Sequence, residues 1–254
     1  MARWSSACSC RRTSGAERLF PVPRTAGRHQ ARPQFAQFGS FFVNASTQRL
    51  TLTGAAGRIE AVIDAPSLAP GESPRGVAVV AHPHPLFAGT MDNKVVQTLA
   101  RALVGCGWSA VRFNFRGVGA TEGVYDEGRG ELDDLLAVVA QSAPADVPLA
   151  LAGFSFGSFV TSHAMKALWA TRPVEKLVLV GTAASRFTVA EIPAEAHDRT
   201  LVVHGELDDT VPLASVMDWA RPQSLPVTVV PGGGHFFHGQ LPLLKNLVMR
   251  HLRA

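Results

Sequence analysis

The stretch LALAGFSFGSFV, residues 149–160, decides the fold of this chain. It begins with an apolar run typical of a buried strand and ends with a run that suits a helix. Between the two runs, Ser155 stands between Gly153 and Gly157 in a G-x-S-x-G pattern. A strand that turns directly into a helix leaves room only for small flanking residues, and it holds the serine at the sheet's edge. A turn serine and a nucleophile share this pattern, so the rest of the chain must supply partners for Ser155.

Strand-like and helix-like patterns alternate along the chain outside this stretch. Two alternating runs at 49–54 and 58–65 predict an antiparallel hairpin. Continuous apolar runs predict further strands that are buried on both faces, with amphipathic helices between them. The buried strands are expected at 76–82, 109–115, 147–154, 176–183, 199–206 and 226–233, and the helices at 94–107, 130–143, 156–170, 212–220 and 239–252. The sequence therefore predicts an α/β fold with a doubly wound, mostly parallel sheet of about eight strands.

Candidate partners of Ser155 follow two later strands, at the sheet edge where open α/β sheets bind ligands. Asp208 and Asp209 come after the strand at 199–206. Asp208 is the preferred acid, and Asp209 also suits a cap of the next helix. His235 and His238 come after the last strand. His235 directly follows three glycines and is the preferred base, whereas His238 fits a cap or packing residue better.

The chain order of Ser155, Asp208 and His235 is the order of the α/β-hydrolase catalytic triad. A serine hydroxyl is a weak nucleophile, so it needs a base within hydrogen-bond reach, and the base needs an acid to orient it. These three positions satisfy both requirements at the carboxyl ends of three predicted strands.

Acyl transfer also requires donors for the oxyanion. One is expected to be the backbone N–H of Phe156, directly after the serine. The other is expected in the loop AHPHPLFAGTMDN, where the prolines have no N–H, so His84 is the preferred donor and Leu86 the second. His82 and His84 resemble a metal-binding pair, but the H-x-H-x-D-H pattern of metallo-hydrolases is absent. We therefore expect no metal and no cofactor.

Six stretches carry a family resemblance, namely AHPHPLFAGTMDNKVVQTLARAL, VRFNFRGVGATEG, GRGELDD, LALAGFSFGSFV, VVHGELDDTVP and GGGHFFHGQL. With them, residues 48–252 resemble the small bacterial α/β hydrolases of the dienelactone-hydrolase-like and prolyl-oligopeptidase-like group. The resemblance implies an α/β-hydrolase fold and serine-hydrolase chemistry, carboxylesterase-like, at Ser155, Asp208 and His235. Dienelactone hydrolases proper use a cysteine nucleophile, so lactone specificity is not implied here.

The predicted substrate is a small molecule with an ester or thioester bond. The connection between the sixth and seventh strands, 184–198, is too short for a large cap domain, which predicts an open site for small or extended acyl groups. Leu86, Phe154 and Phe187 are candidate substrate-binding residues, although each also suits the core. Two alternatives remain open: an aminopeptidase or acyltransferase on the same triad, and a non-catalytic binding protein that retains the fold.

Composition argues against other classes of function. The first 42 residues hold seven of the 24 basic residues and one of the 20 acidic ones. The remaining chain therefore has 17 basic and 19 acidic residues, a net charge of −2, and a nucleic-acid partner is not indicated. No apolar run approaches the ~18–20 residues of a membrane span. Cys106 is the one cysteine beyond residue 42, which favours a reducing, cytoplasmic location. The sequence indicates no oligomeric state.

The N-terminal stretch 1–42 is expected to be separate from a hydrolase domain at 43–254. It is rich in Arg, Ser and Pro and has no clear hydrophobic period. A disordered tail, an organellar transit peptide and a non-native extension from a misplaced start near Val43 are the three interpretations. We favour the last, because periodic structure begins directly after this stretch.

Overall fold

The computed structural model describes residues 47–254, so the predicted N-terminal extension lies outside the described residues. Eight strands and five α-helices alternate along this part of the chain. The strands are β1 (Thr47–Gly54), β2 (Gly57–Asp64), β3 (Gly76–Ala81), β4 (Trp108–Phe113), β5 (Leu149–Phe154), β6 (Val174–Val180), β7 (Thr200–Gly205) and β8 (Val227–Val230). The helices are α1 (Lys94–Val104), α2 (Arg129–Ser142), α3 (Phe156–Leu168), α4 (Leu213–Ala220) and α5 (Leu241–Arg253).

The strands form one sheet in the order β1-β2-β4-β3-β5-β6-β7-β8. β1 and β2 form the predicted antiparallel hairpin, and β2 also runs antiparallel to β4. All remaining pairs are parallel. The predicted doubly wound, mostly parallel α/β fold is confirmed, and the carboxyl ends of β3, β5, β6, β7 and β8 meet at one edge of the sheet.

Two layers of helices cover the sheet. Helices α2, α3 and α4 pack on one face, and α1 and α5 pack on the other. On β3, Val77, Val79 and Ala81 face the first layer, whereas Ala78 and Val80 face the second. Because both faces are apolar and side chains alternate along a strand, the buried strands read as continuous apolar runs in the sequence.

A buried ion pair joins the antiparallel and parallel parts of the sheet and anchors the loop after β3. Arg112 of β4 donates through Nε to Asp64 of β2 at 2.9 Å, and both side chains are almost fully buried. Its Nη1 atom donates to the Met91 carbonyl oxygen and to Asp92, each at 2.9 Å. Asn114 accepts the Met91 N–H at 2.9 Å. Such charge-assisted bonds hold the end of this loop in a fixed position.

One strand prediction needs correction. β8 is not buried on both faces, because it lies at the end of the sheet and pairs only with β7. Three of its four residues are partly or largely accessible, and Val229 is 37% exposed. The connection from β6 to β7 holds only a 3₁₀ turn at Ala194–Arg199, and no cap domain is inserted there. Within residues 47–254, no helix has the length and apolar character needed to span a bilayer.

Candidate active site

Ser155 occupies a sharp turn between β5 and α3. Its backbone has φ 57° and ψ −116°, in a region that is costly for any residue with a side chain. A Cβ atom on Gly157 would collide with the Ala81 carbonyl oxygen of β3, and one on Gly153 would lie 2.5 Å from the Gly157 carbonyl oxygen. Both glycines are therefore required by the close approach of backbones, as the sequence pattern predicts.

A continuous chain of hydrogen bonds links Ser155 to Asp208 through His235. The His235 Nε2 atom lies 3.0 Å from the Ser155 Oγ atom, and the Nδ1 atom lies 2.7 Å from the Asp208 Oδ2 atom. All three residues are nearly buried, with exposed fractions of 8%, 4% and 6% for Ser155, His235 and Asp208. The Phe154 ring packs against the imidazole with 5.0 Å between ring centroids.

Asp208 is fixed by groups on both of its carboxylate oxygens. Its Oδ1 atom accepts the N–H of Thr210 at 3.0 Å and of Val211 at 2.7 Å. The His204 Nε2 atom lies 3.4 Å from Oδ2 and 2.9 Å from the Val211 carbonyl oxygen. Burial opposes the charged carboxylate, but the bonds from His235 and Val211 and the nearby imidazoles outweigh it. Together they hold the pKa of Asp208 below its ordinary value.

The loop after β3 brings His84 towards the serine. His84 precedes a 3₁₀ turn at Pro85–Phe87, and its Nδ1 atom accepts the Leu86 N–H at 3.2 Å. The Leu86 amide is thus already engaged within the turn, which leaves His84 as the remaining one of the two predicted donors. Phe156 is the first residue of α3, and amides in the first turn of a helix have no intrahelical acceptor.

His82 follows β3, and both of its ring nitrogens contact backbone groups. Its Nδ1 atom lies 2.5 Å from the Pro83 carbonyl oxygen, and its Nε2 atom accepts the Phe115 N–H at 3.0 Å. Burial is the main cause that lowers the pKa of His82 to about 4. This neutral imidazole therefore ties the end of β3 to the segment after β4, next to the His84 loop.

A cavity of about 330 Å³ opens directly above the serine. Its lining includes Ser155, His235, His84 and Phe156 together with the predicted Phe187. Fourteen residues line it in all, and aromatic side chains dominate its apolar part.

Two predicted substrate-binding residues lie outside this cavity. Leu86 is 66% exposed and points away from it, because the 3₁₀ turn directs its side chain outward. Phe154 is fully buried among the α1 and α5 side chains and supports His235 from below. Of the predicted apolar residues, Phe187 alone lines the cavity beside Phe156.

Four residues near the serine escaped the sequence analysis. Phe87, Phe236 and Arg186 line the cavity, and His204 lies behind Asp208. Phe87 follows Leu86 and Phe236 follows His235 in the chain. Their positions in the loops after β3 and β8 are therefore the sequence signal that places them near the site. No sequence signal marked His204 or Arg186. Within residues 47–254, no group of three or more metal-binding side chains is assembled.

Comparisons with known proteins agree with this architecture. A family profile described as alpha/beta hydrolase matches residues 118–213. A lidless α/β serine hydrolase of Xanthomonas campestris is 36% identical over 83% of this chain and 95% of its own length, with a TM-score of 0.72. An α/β serine hydrolase homologue from Coxiella burnetii is 38% identical over 81% of this chain and 97% of its own, with a TM-score of 0.67. The chain belongs to the α/β-hydrolase family.

The Xanthomonas campestris relative is described as having no lid. This agrees with the short connection between β6 and β7 of the present chain, which holds no cap domain. An uncharacterized protein of Rickettsia prowazekii is 39% identical over 116 residues, which are 44% of this chain. The match spans 47% of that relative, about half of its length.

Proposed function

We propose that this chain is a serine hydrolase that cleaves carboxylic ester or thioester bonds of small acyl substrates, with Ser155, Asp208 and His235 as its catalytic triad. The single observation that carries the proposal is the chain of hydrogen bonds through His235 beside the cavity that Ser155 lines. The His235 Nε2 atom lies 3.0 Å from Ser155 Oγ, and its Nδ1 atom lies 2.7 Å from Asp208 Oδ2. We assign this activity to a domain at 43–254 that needs no metal or cofactor.

The proposed reaction proceeds through an acyl-enzyme. His235 accepts the Ser155 proton through Nε2 while Oγ attacks the carbonyl carbon, and Asp208 orients the ring through its Nδ1–H and stabilises the charged imidazole. The amides of Phe156 and His84 stabilise the oxyanion, and the positive end of α3 favours the same charge. His235 then protonates the leaving alcohol or thiol. Water, activated by the same imidazole, hydrolyses the acyl-enzyme and restores the free serine.

The lining of the cavity favours an esterase over an aminopeptidase. An aminopeptidase recognises the positively charged amino terminus of its substrate, which calls for a carboxylate in the site. None of the fourteen lining residues is acidic, and Asp208 lies behind His235. Phe156 and Phe187 instead offer an apolar surface to an acyl group.

Labelling with a fluorophosphonate probe tests the proposal. Wild-type protein is expected to label at one site, mapped by mass spectrometry to Ser155, and the Ser155→Ala variant is expected not to label. Turnover of p-nitrophenyl esters but not of aminoacyl p-nitroanilides would identify the ester class. A folded wild-type protein that does not label at Ser155 would exclude this mechanism and favour a binding protein.

A further inference from the structure

Arg186 is the one residue with a permanent charge among those that line the cavity above Ser155. It lies in the connection after β6, and its guanidinium carbon is 6.0 Å from the centre of the Phe87 ring. The side chain is exposed, and it also borders an adjoining groove with Phe187. Arg186 therefore stands at the rim of the proposed acyl site, stacked against an apolar wall.

The charge of Arg186 is not neutralised by its surroundings. Within residues 47–254, no carboxylate lies within 4 Å of its guanidinium, whereas Arg112 and Arg116 are both paired with aspartates. Glu127 borders the adjoining groove, but its ion pair is with Arg129 at 3.5 Å. An exposed cation without a partner at a cavity mouth keeps its hydrogen-bonding capacity for a ligand.

The field of Arg186 reaches into the cavity. Burial and, second, the nearby Arg186 charge lower the pKa of His84. The lining thus has one permanent positive charge and no acidic side chain, next to the aromatic faces of Phe156 and Phe187. This combination suits a substrate with an apolar skeleton and a negative group at the end away from the scissile bond.

Resting on the function proposed above, we infer that Arg186 selects esters that carry a free carboxylate, such as half-esters of dicarboxylic acids. A carboxylate presents two oxygens to the guanidinium fork, a geometry that arginine binds in a bidentate manner. The carbon skeleton packs on Phe156 and Phe187 while the ester carbonyl meets Ser155. Arg186 is a specificity residue here and takes no part in bond breaking.

Two esters of matched length test the inference on the full chain. The p-nitrophenyl half-ester of glutaric acid carries the carboxylate, and p-nitrophenyl pentanoate is its neutral counterpart. For wild type, kcat/KM is expected to be higher for the half-ester, and this preference should shrink as salt screens the charge. Arg186→Gln is expected to lower kcat/KM for the half-ester about tenfold or more and to change the neutral ester less than about twofold. Arg186→Lys should retain part of the preference.

Arg250→Gln, which removes an exposed positive charge of α5 that does not line the cavity, is the matched control and should leave both esters unchanged. Binding of the intact half-ester to Ser155→Ala protein, with and without Arg186→Gln, measures the same selectivity without turnover. If Arg186→Gln lowers kcat/KM equally for both esters, or does not lower it for the half-ester, the inference is overturned. Turnover of either ester by the wild-type protein would still support the proposed function. Absence of turnover together with absence of Ser155 labelling would overturn both.

Discussion

At the scale of single residues, Asp208 has the largest number of partners in the site. Two backbone amides hold one oxygen, and His235 and His204 approach the other. Since a carboxylate so held cannot rotate freely, it fixes the orientation of the imidazole and thus the direction of the Nε2 atom towards Ser155. The neighbouring Asp209 is exposed and accepts only the Thr210 hydroxyl at 3.3 Å.

These two adjacent aspartates provide a prediction with an internal control. Asp208→Asn is expected to reduce kcat for a p-nitrophenyl ester on the order of 10³–10⁴-fold, because an amide does not stabilise the charged imidazole or hold its tautomer. Asp209→Asn, which makes the same change one residue away, should leave kcat within about twofold. Steady-state kinetics of both variants, with fluorophosphonate labelling rates, measure the difference. Similar losses in the two variants would contradict the assignment.

The sequence predicts the positions of Ser155, Asp208 and His235 because each follows the carboxyl end of a strand, and those ends converge wherever parallel strands are paired. It predicts less well which apolar side chains face the cavity. The side chain of Leu86 points outward because Leu86 lies in a 3₁₀ turn. The side chain of Phe154 points into the core because side chains alternate between the two faces along β5. Such directions depend on local backbone conformation, which residue types alone do not encode.

At the scale of elements, the turn from β5 into α3 controls the geometry around the serine. Gly157, the second residue of α3, lies directly against the backbone of β3, so a methyl group does not fit between helix and strand there. The left-handed backbone of Ser155 is held by this packing and by its N–H bond to the Val180 carbonyl oxygen at 2.8 Å. Contacts with β3, β5 and β6 thus stabilise the strained backbone of Ser155.

Gly157→Ala is therefore expected to lower the free energy of unfolding by about 2 kcal/mol or more, because its methyl group meets a backbone oxygen that does not rotate away. Gly234→Ala is the matched control. A Cβ there would meet only the Leu207 carbonyl oxygen at 3.9 Å, so the change should stay within about 0.5 kcal/mol. Urea denaturation of both variants gives the two values, and equal stability of the two would count against the packing argument.

Element type and order are largely readable from this chain, but sheet position is not. Long apolar runs predict the central strands, and β8 has the same kind of run, VTVV, yet it forms the edge. Which strand ends a sheet is decided by the pairing of distant segments. The ion pair of Arg112 with Asp64 is also non-local, because 48 residues separate the partners in the chain.

At the scale of the whole molecule, one buried and one partly buried histidine link stability to pH. Burial is the largest cause that lowers the pKa of both His82 and His251 to about 4. A nearby Lys176 also lowers the pKa of His251. The folded protein therefore keeps both imidazoles neutral over a pH range in which the unfolded chain, with histidine pKa values near 6.5, already binds protons.

We accordingly expect the contribution of these histidines to the free energy of unfolding to be highest above about pH 6.5, to fall as the pH drops to 4, and to level off below. One pKa unit corresponds to about 1.4 kcal/mol, so the fully buried His82 accounts for roughly 3 kcal/mol of this loss. Denaturant titrations at several pH values measure the slope, and His251→Gln should make it shallower. The lowered pKa of Asp208 acts only below about pH 4. A stability that stays level from pH 6.5 to 4 is the contrary result.

The short connection between β6 and β7 bears on the lifetime of the proposed acyl-enzyme. Arg186 and Phe187 of this connection line the cavity, but no cap domain covers Ser155, so in the proposed mechanism solvent reaches the acyl-enzyme bond from the open side of the cavity. Enzymes that transfer acyl groups to other acceptors must keep water out during this interval. Under the proposed mechanism, we therefore expect a small acyl group to give a short-lived intermediate, and a bulky one, which shields the bond, to prolong it. In that mechanism, the substrate sets how long the serine stays acylated.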